Sequence, residues 1–264
     1  MAGEIRVERE GAVAFVTLVH AGRLNAMSRA MWRELRAAFE GPASLSADAA
    51  LRCIVLRGEG GAFCAGGDIS EYPSFRFDTA ALRVFHEDEV GAALKALRGC
   101  EVPMLAQIEG ACMGAGLEIA SCCDIRLAGA SAKFGAPIAK LGFPMAPYEA
   151  ALVHRAVGDA LARDMLLAAG VHGAPRLKEA GFLLEVLPDA AVADAVRVHA
   201  HRIAALAPEA ARAHKRMLAA LAGVDSGGVQ ALLPTAYDYA DSPEHREGIA
   251  AFLAKRPPVF RDPA

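Results

Sequence analysis

Two glycine-rich segments of the chain could bind an anion. Residues 58–68 and 110–116 each follow an apolar run typical of a buried strand and precede helical sequence. Such turns expose backbone N–H groups, and the start of a helix adds a partial positive charge, so an anion or a developing oxyanion is favoured there. Two converging turns would give two donors to one oxyanion. Taken alone, either segment can also be a tight connection between elements.

Glu118 is the side chain near these segments that suits acid–base chemistry. Its neighbours between residues 116 and 123 are apolar or small, and burying a carboxylate among them is costly unless it has a partner or a function. A structural ion pair is one interpretation. The position of Glu118 one helical turn after a candidate oxyanion turn favours general acid or base catalysis.

Other chemical motifs are missing from the sequence. It has no G-x-S-x-G, H-E-x-x-H or P-loop motif, and residues 110–116 do not fit G-x-G-x-x-G. His199 and His201 lie two residues apart on a predicted helix and point away from each other, which argues against a shared metal. His86 is interpreted as a histidine on the polar face of a helix. We therefore predict no metal site.

The elements that must position these segments alternate between strand and helix up to about residue 146. Runs of β-forming residues at 5–8 and 13–19 predict a hairpin, and Ser28 is a predicted helix N-cap. Residues 79–98 carry one helical stripe of apolar side chains. From Pro147 onward the pattern predicts helix after helix. The sequence therefore indicates an α/β fold with one core and a helical C-terminal region.

Composition and charge exclude several classes of protein. The chain has 264 residues and a net charge of −3 from 28 basic and 31 acidic residues, so a nucleic-acid binder is not expected. Stretches without a charged residue reach only about 12 residues, too short for a membrane-spanning helix. The N-terminus lacks the pattern of a secretory signal, so we expect a cytoplasmic location. The six cysteines form no C-x-x-C pair, so we expect buried thiols in a reducing compartment.

Seven short motifs follow one another between about residues 5 and 260. They are RLNAMS at 23–28, AFCAGGDI at 62–69, PMLAQIEG at 103–110, GAGLEIA at 114–120, CDIR at 123–126, KFG at 133–135 and EGIAAFLAKRPPVF at 247–260. In type and spacing they resemble the crotonase superfamily, the enoyl-CoA hydratase/isomerase family. The resemblance implies a spiral of ββα units over residues 1–200 and a C-terminal helical region over 201–264 that joins subunits into a homotrimer, often paired into a hexamer.

The resemblance also implies a coenzyme A thioester as substrate, with no separate cofactor. The thioester carbonyl would accept hydrogen bonds from the backbone N–H groups of Gly67 and Ala115, with Glu118 as the acid–base residue. Arg23 would lie close to the phosphates of coenzyme A, and Lys255 would reach a phosphate across a subunit contact. Other substrate-binding positions implied by the match are Ala26, Ala65, Gly66, Asp68 and Ile69.

One position departs from the family pattern. Glu118 matches one of the two glutamates with which hydratases activate water, but the second, expected at position 138, is Ile138. Hydration or double-bond isomerisation through Glu118 is the leading hypothesis. The alternatives are decarboxylation or hydrolysis of an acyl-CoA, or binding without catalysis. Tyr148 or His86 would supply a missing proton only if the fold brings one of them near.

Overall fold

The strands form two sheets in the computed structural model, which describes residues 2–222, 234, 237, 240–256 and 258. The strands are β1 Glu4–Glu10, β2 Val13–Val19, β3 Cys53–Gly58, β4 Met104–Ile108, β5 Ala111–Met113, β6 Ile125–Gly129, β7 Lys133–Gly135, β8 Val171–Gly173 and β9 Glu185–Leu187. The larger sheet has the order β1-β2-β3-β4-β6-β9, and the smaller has the order β5-β7-β8. Apart from the predicted β1–β2 hairpin, which is confirmed, the pairs of the larger sheet are parallel.

Helices connect the strands and close the C-terminal region. The α-helices are α1 Arg29–Phe39, α2 Thr79–Val84, α3 Gly91–Gly99, α4 Ala115–Cys122, α5 Pro147–Val157, α6 Asp159–Leu167, α7 Ala174–Glu179, α8 Val192–Ala204, α9 Pro208–Ala222 and α10 Pro243–Leu253. Short 3-10 helices cover Ile69–Ser74, Ile138–Leu141 and Asp189–Ala191. Among the described residues, no helix combines the length and apolar character that crossing a membrane requires.

Strand β2 is buried on both faces, which explains its unbroken apolar sequence. Val13 and Phe15 pack toward α8 in one apolar cluster. Ala14, Val16 and Leu18 belong to the larger cluster on the opposite face. The larger sheet therefore lies between two hydrophobic cores.

The chain winds as a spiral. Each turn of the spiral adds one strand to the larger sheet, then one short segment to a second row of paired segments that includes the smaller sheet, and then a helix. In this second row, Met27 pairs with Gly67, and Cys64 pairs with Cys112 of β5. β5 pairs with β7 and β7 with β8. The second row therefore stacks successive turns of the spiral, and neighbouring turns start their helices at the same edge.

Two predictions about the helices need correction. The helix predicted over residues 79–98 is present, but a π-helical segment, Phe85–Val90, interrupts it between α2 and α3. The region after Pro147 is not only helical, because β8 and β9 add three residues each to the sheets. Ser28 caps α1 as predicted, accepting a hydrogen bond from the Met31 N–H.

The six cysteines are buried free thiols, as predicted. Burial raises the pKa of Cys53 and of Cys64 to about 12. Near neutral pH these sulfurs stay protonated and act as small apolar side chains.

Candidate active site

The two glycine-rich segments meet at the edge where successive turns start their helices. A Cβ added to Gly114 would lie 3.6 Å from the Cα of Gly66. Gly67 and Ala115 are the next residues along the two segments, and both line the same cavity. The two glycine-rich segments therefore converge on one cavity.

The N–H of Gly67 points away from Met27, the residue with which Gly67 pairs. The Met27 bridge uses hydrogen bonds from Met27 N to Gly66 O and from Asp68 N to Met27 O, both 2.8 Å long. In a parallel bridge of this pattern the central residue directs its own N–H to the opposite side. A Cβ at Gly67 would lie 2.2 Å from the Tyr72 hydroxyl, so any larger residue here requires the Tyr72 side chain to shift.

Ala115 is the first residue of α4. The N–H groups in the first turn of a helix have no intrahelical acceptor, and they carry the positive end of the helix dipole. The helix start packs closely against the first glycine-rich segment, because a Cβ at Gly116 would lie 2.6 Å from the carbonyl oxygen of Cys64. The Ala115 N–H therefore belongs to a rigid donor position at the cavity.

The cavity has a volume of about 470 Å³, enough for a small acyl group and part of its carrier. Nine of the ten predicted site residues line it: Arg23, Ala26, Ala65, Gly66, Gly67, Asp68, Ile69, Ala115 and Glu118. The Arg23 guanidinium donates hydrogen bonds to Asp68 Oδ1 at 2.7 Å and to Ser70 Oγ at 2.8 Å. The side chain of Arg23 is half-exposed, so its position at the cavity mouth is fixed while part of the cation stays accessible.

Lys255 is the predicted site residue that does not line the cavity. It lies just beyond α10, with φ at 53° and an exposed side chain. Phe252 and Leu253, from the end of α10, line the cavity instead. The C-terminal region therefore contributes apolar side chains to the site within one chain.

Glu118 is buried in the first turn of α4, with 6% of its surface exposed. Burial raises the pKa of its carboxyl group well above the usual range, and the nearby Glu149 carboxylate raises it further, against the lowering effect of Arg76. Glu118 therefore holds a proton at pH values where an exposed glutamate is ionised.

Ile138 lines the cavity, so the position where the family pattern expects a second carboxylate presents an apolar side chain. A second carboxylate nevertheless reaches the same cavity from α5. It belongs to Glu149, which is 4% exposed. Burial raises the pKa of Glu149 too, whereas Arg76 and a hydrogen bond from the Ala146 backbone lower it. Two buried carboxyl groups and one buried cation thus share the site.

The interpretation of His86 as a polar-face histidine is wrong, because the π-helical segment turns this side chain into the protein. His86 is 7% exposed, lines the cavity and lies with Nδ1 2.6 Å from Glu149 Oε1. Its pKa lies well below the usual range because of burial and the nearby Arg76 cation, so the ring is neutral. Tyr148 does not line the cavity, and its ring faces Lys95 Nζ at 5.2 Å.

Sequence reasoning missed Glu149 and Arg76. Glu149 follows Pro147 in the first turn of a helix, where an acidic residue is common for reasons of helix stability alone. Arg76 is 1% exposed, and its guanidinium lies over the rings of Tyr72 and Phe143 at 4.4 and 3.9 Å. No signal in the sequence indicates this burial.

Among the described residues, no group of three or more His, Cys, Asp or Glu side chains could hold a metal ion.

Asn25 fixes the loop that carries Arg23 and Ala26. Its side chain accepts a hydrogen bond from the His20 N–H at 3.0 Å and donates to the carbonyl oxygens of Glu59 and Ala62 at 2.8 and 2.7 Å. Asn25→Ala is expected to lower the free energy of unfolding by about 1–3 kcal/mol, because these buried backbone groups lose their partner. Urea denaturation measures this loss.

The matched control is the neighbouring exposed residue, which shares the left-handed backbone of Asn25. Leu24 has φ at 48°, and Asn25 has φ at 59°. Leu24→Ala is expected to leave the unfolding midpoint unchanged, since 59% of the Leu24 surface is already in water. Equal losses in the two variants would contradict the role given to the Asn25 amide.

The raised pKa of Glu118 predicts a pH-dependent stability. Between the unfolded and folded pKa values the native state binds more protons than the unfolded chain, so stability falls as pH rises through that window. Glu118→Gln removes this penalty and is expected to raise the free energy of unfolding near pH 8. The gain should shrink toward about pH 5, where Glu118 is protonated in both states to a growing extent. Urea titrations at the two pH values measure it, and a gain independent of pH would contradict the assignment.

Residues 8–263 match the family model described as enoyl-CoA hydratase/isomerase. A probable enoyl-CoA hydratase of Rhizobium meliloti (strain 1021) is 32% identical over 259 residues, which cover 97% of this chain and 96% of that protein. The 2,3-dehydroadipyl-CoA hydratase of Escherichia coli (strain K12) is 30% identical over 262 residues, 98% of each protein.

Solved structures with the same fold include two with different activities in their names. An enoyl-CoA hydratase/carnithine racemase from Magnetospirillum magneticum is 39% identical, with a TM-score of 0.79 over 98% of this chain and 96% of that one. A methylmalonyl-CoA decarboxylase in complex with 2-nitronate-propionyl-CoA is 25% identical, with a TM-score of 0.85 over 98% and 99%. The spiral and its C-terminal helices are thus those of the crotonase fold. The chain belongs to the enoyl-CoA hydratase/isomerase family.

Proposed function

We propose that the chain is an acyl-CoA enzyme of the hydratase/isomerase type, with Glu118 as acid–base residue and the N–H groups of Gly67 and Ala115 as oxyanion donors. The observation that carries the proposal is the meeting of two helix-start segments beside a buried carboxyl group. Membership of the family and the names of its relatives support a coenzyme A thioester as substrate. No separate cofactor is required by this chemistry.

The chemistry follows from where charge develops. When a group adds to Cβ of an enoyl thioester, or a proton leaves Cα, the electron pair moves onto the thioester oxygen as an enolate. Two fixed N–H donors stabilise that oxygen more strongly than the neutral carbonyl, so they lower the barrier. Glu118 lies one turn along α4 from Ala115 and lines the same cavity, so in this proposal it exchanges the proton with the acyl carbons.

The coenzyme A part of the substrate is proposed to lie along the first glycine-rich segment. Ala26, Ala65, Gly66, Asp68 and Ile69 would form its apolar and backbone contacts, and the cavity they line supports this assignment. The half-exposed Arg23 is placed to meet a phosphate, because a guanidinium pairs well with phosphate oxygens. A contribution from Lys255 requires a neighbouring subunit.

Purified protein given short-chain 2-enoyl-CoA and 3-enoyl-CoA substrates tests the proposal. Hydration of the first removes the absorbance of the conjugated thioester, and isomerisation of the second creates it. We expect turnover of at least one series. Tight binding of both without turnover would leave a binding protein and overturn the proposal.

Decarboxylation is the second candidate, and Ile138 is the observation that favours it. An apolar group beside the acyl portion disfavours a charged substrate carboxylate relative to the enolate that follows loss of CO₂. The fold shared with a methylmalonyl-CoA decarboxylase is compatible with this reaction. CO₂ release from malonyl-type thioesters, with no turnover of enoyl thioesters, would establish decarboxylation in place of hydration.

Self-association into a homotrimer or hexamer, and a cytoplasmic location, stay predictions. Large apolar side chains are exposed on the C-terminal helices, at Val198, Met217, Leu218 and Phe252. Exposed apolar side chains on these helices favour a subunit contact.

A further inference from the structure

We infer that Glu149 is the second acid–base residue of this site and that Glu118 and Glu149 hold a single proton between them. The inference rests on the proposed function. It places on α5 the carboxylate that position 138 lacks, so that the site contains a donor and an acceptor of protons together.

The position of Glu149 supports a role in the cavity. It is the third residue of α5, which packs against α4, the helix that carries Glu118. Its carboxylate lines the cavity and is buried. The two carboxyl groups are close enough for the charge of Glu149 to disfavour ionisation of Glu118.

A chain of hydrogen bonds directs donors toward Glu149. The Arg76 guanidinium lies 3.3 Å from His86 Nε2, and since arginine only donates, Nε2 accepts and the ring proton is on Nδ1. That Nδ1–H therefore donates to Glu149 Oε1, 2.6 Å away. Arg76 Nε also donates to His245 Nε2 at 3.0 Å, and His245 Nδ1–H donates to Ala240 O at 2.9 Å.

The asymmetry between the two carboxyl groups decides which one is ionised. Glu149 accepts hydrogen bonds from His86 and from the Ala146 backbone, and these favour its charged form. Glu118 has no such donor among its described contacts, and Arg76 alone favours its charge. Burial raises the pKa of Glu149 to about 8, and with these donors Glu149 is the group of the pair that ionises first, while Glu118 keeps its proton.

The charge balance of the buried site is then complete. One carboxylate faces one arginine, while His86 and His245 stay neutral because burial and Arg76 lower their pKa, to about 4 for His245. Placing two anions together at a buried position is costly, which keeps the proton on the pair. The other charged groups that line the cavity are Arg23, Asp68 and Lys140.

Hydration of a 2-enoyl thioester fits this arrangement. An O–H bond of water breaks as its proton passes to Glu149, and the oxygen bonds to Cβ. The Cα=Cβ electron pair moves to the thioester enolate and then forms a Cα–H bond with the proton of Glu118. One carboxyl group is protonated before and after the step, so the product differs from the substrate by one water.

Glu149→Gln tests the inference, because the amide oxygen still accepts the His86 hydrogen bond while the group no longer takes a proton. We expect kcat for hydration to fall on the order of a hundredfold with KM little changed. In the wild type, kcat/KM should fall as the pH is lowered, because Glu149 becomes protonated. This fall should be absent from the pH profile of the variant. Glu179→Gln, an exposed residue on α7, is the matched control.

The outcomes separate this inference from the proposed function. A wild-type protein that turns over no enoyl thioester contradicts the proposed function. An active wild type whose Glu149→Gln variant keeps its rate and acid limb contradicts the role of Glu149 alone. Should that variant fail to fold, Glu149→Asp decides, since a shortened carboxylate is expected to retain the acid limb at a lower kcat, and an unchanged kcat contradicts the inference.

Discussion

Glu118→Gln is expected to lower kcat on a short-chain enoyl-CoA by about 10²–10⁴, with KM little changed. Glutamine has almost the same shape as the protonated glutamic acid and keeps the packing of α4, but it does not give up a proton to Cα. The variant should be more stable than the wild type near pH 8, because a buried ionisable group is gone. Loss of activity together with a gain in stability is the expected signature of a functional buried carboxyl group.

The comparison needs a variant with the same Glu-to-Gln change away from the cavity. Glu40→Gln, at an exposed ion pair with Arg36, removes one carboxylate from the surface and is expected to leave kcat unchanged. Steady-state rates from the decay of the conjugated thioester absorbance supply the data. Full activity in Glu118→Gln would mean that this carboxyl group is a structural one.

Ala115→Pro is expected to lower kcat on the order of 10²–10³, because it deletes one of the two oxyanion donors. Proline is tolerated at the first position of a helix, where the N–H has no intrahelical partner, so α4 still forms. The substitution thus replaces one N–H at the cavity by the ring Cδ, which donates no hydrogen bond, and leaves the Glu118 side chain in place. The loss should fall on kcat, since the oxygen carries more charge in the transition state than in the substrate.

Ala115→Ser is the matched control, because it adds a polar atom to the same side chain position and keeps the backbone N–H. Its kcat is expected to stay close to that of the wild type, and circular dichroism confirms the helix content of both variants. If Ala115→Pro binds substrate and turns it over at the wild-type rate, the donor assignment is wrong.

Local patterns in the sequence were sufficient for the elements that lead into the site. The hairpin depends on two adjacent runs of β-forming residues, and the start of α1 depends on the side chain of Ser28, the residue directly before it. The π-helical segment Phe85–Val90 has no comparable local pattern. One continuous apolar stripe therefore predicted an uninterrupted helix, and the inward direction of His86 was missed.

Short motifs also placed Gly67, Ala115 and Glu118 near one cavity, because each belongs to a segment with its own recognisable glycine pattern. Glu149 and Arg76 carry no such pattern. His86 and Glu149 are 63 residues apart in sequence, and Arg76 and His245 are 169 residues apart. Only the spiral brings them together, so one sequence taken alone gave a site with a single carboxylate.

Turnover of a short-chain 2-enoyl-CoA by the purified protein is the most direct measurement. The wild type should remove the conjugated thioester absorbance and form the 3-hydroxyacyl product, and Glu118→Gln should do so at least about a hundredfold more slowly. Thioester hydrolysis as the sole reaction, or equal rates for the two proteins, would contradict an enolate-forming site built on Glu118.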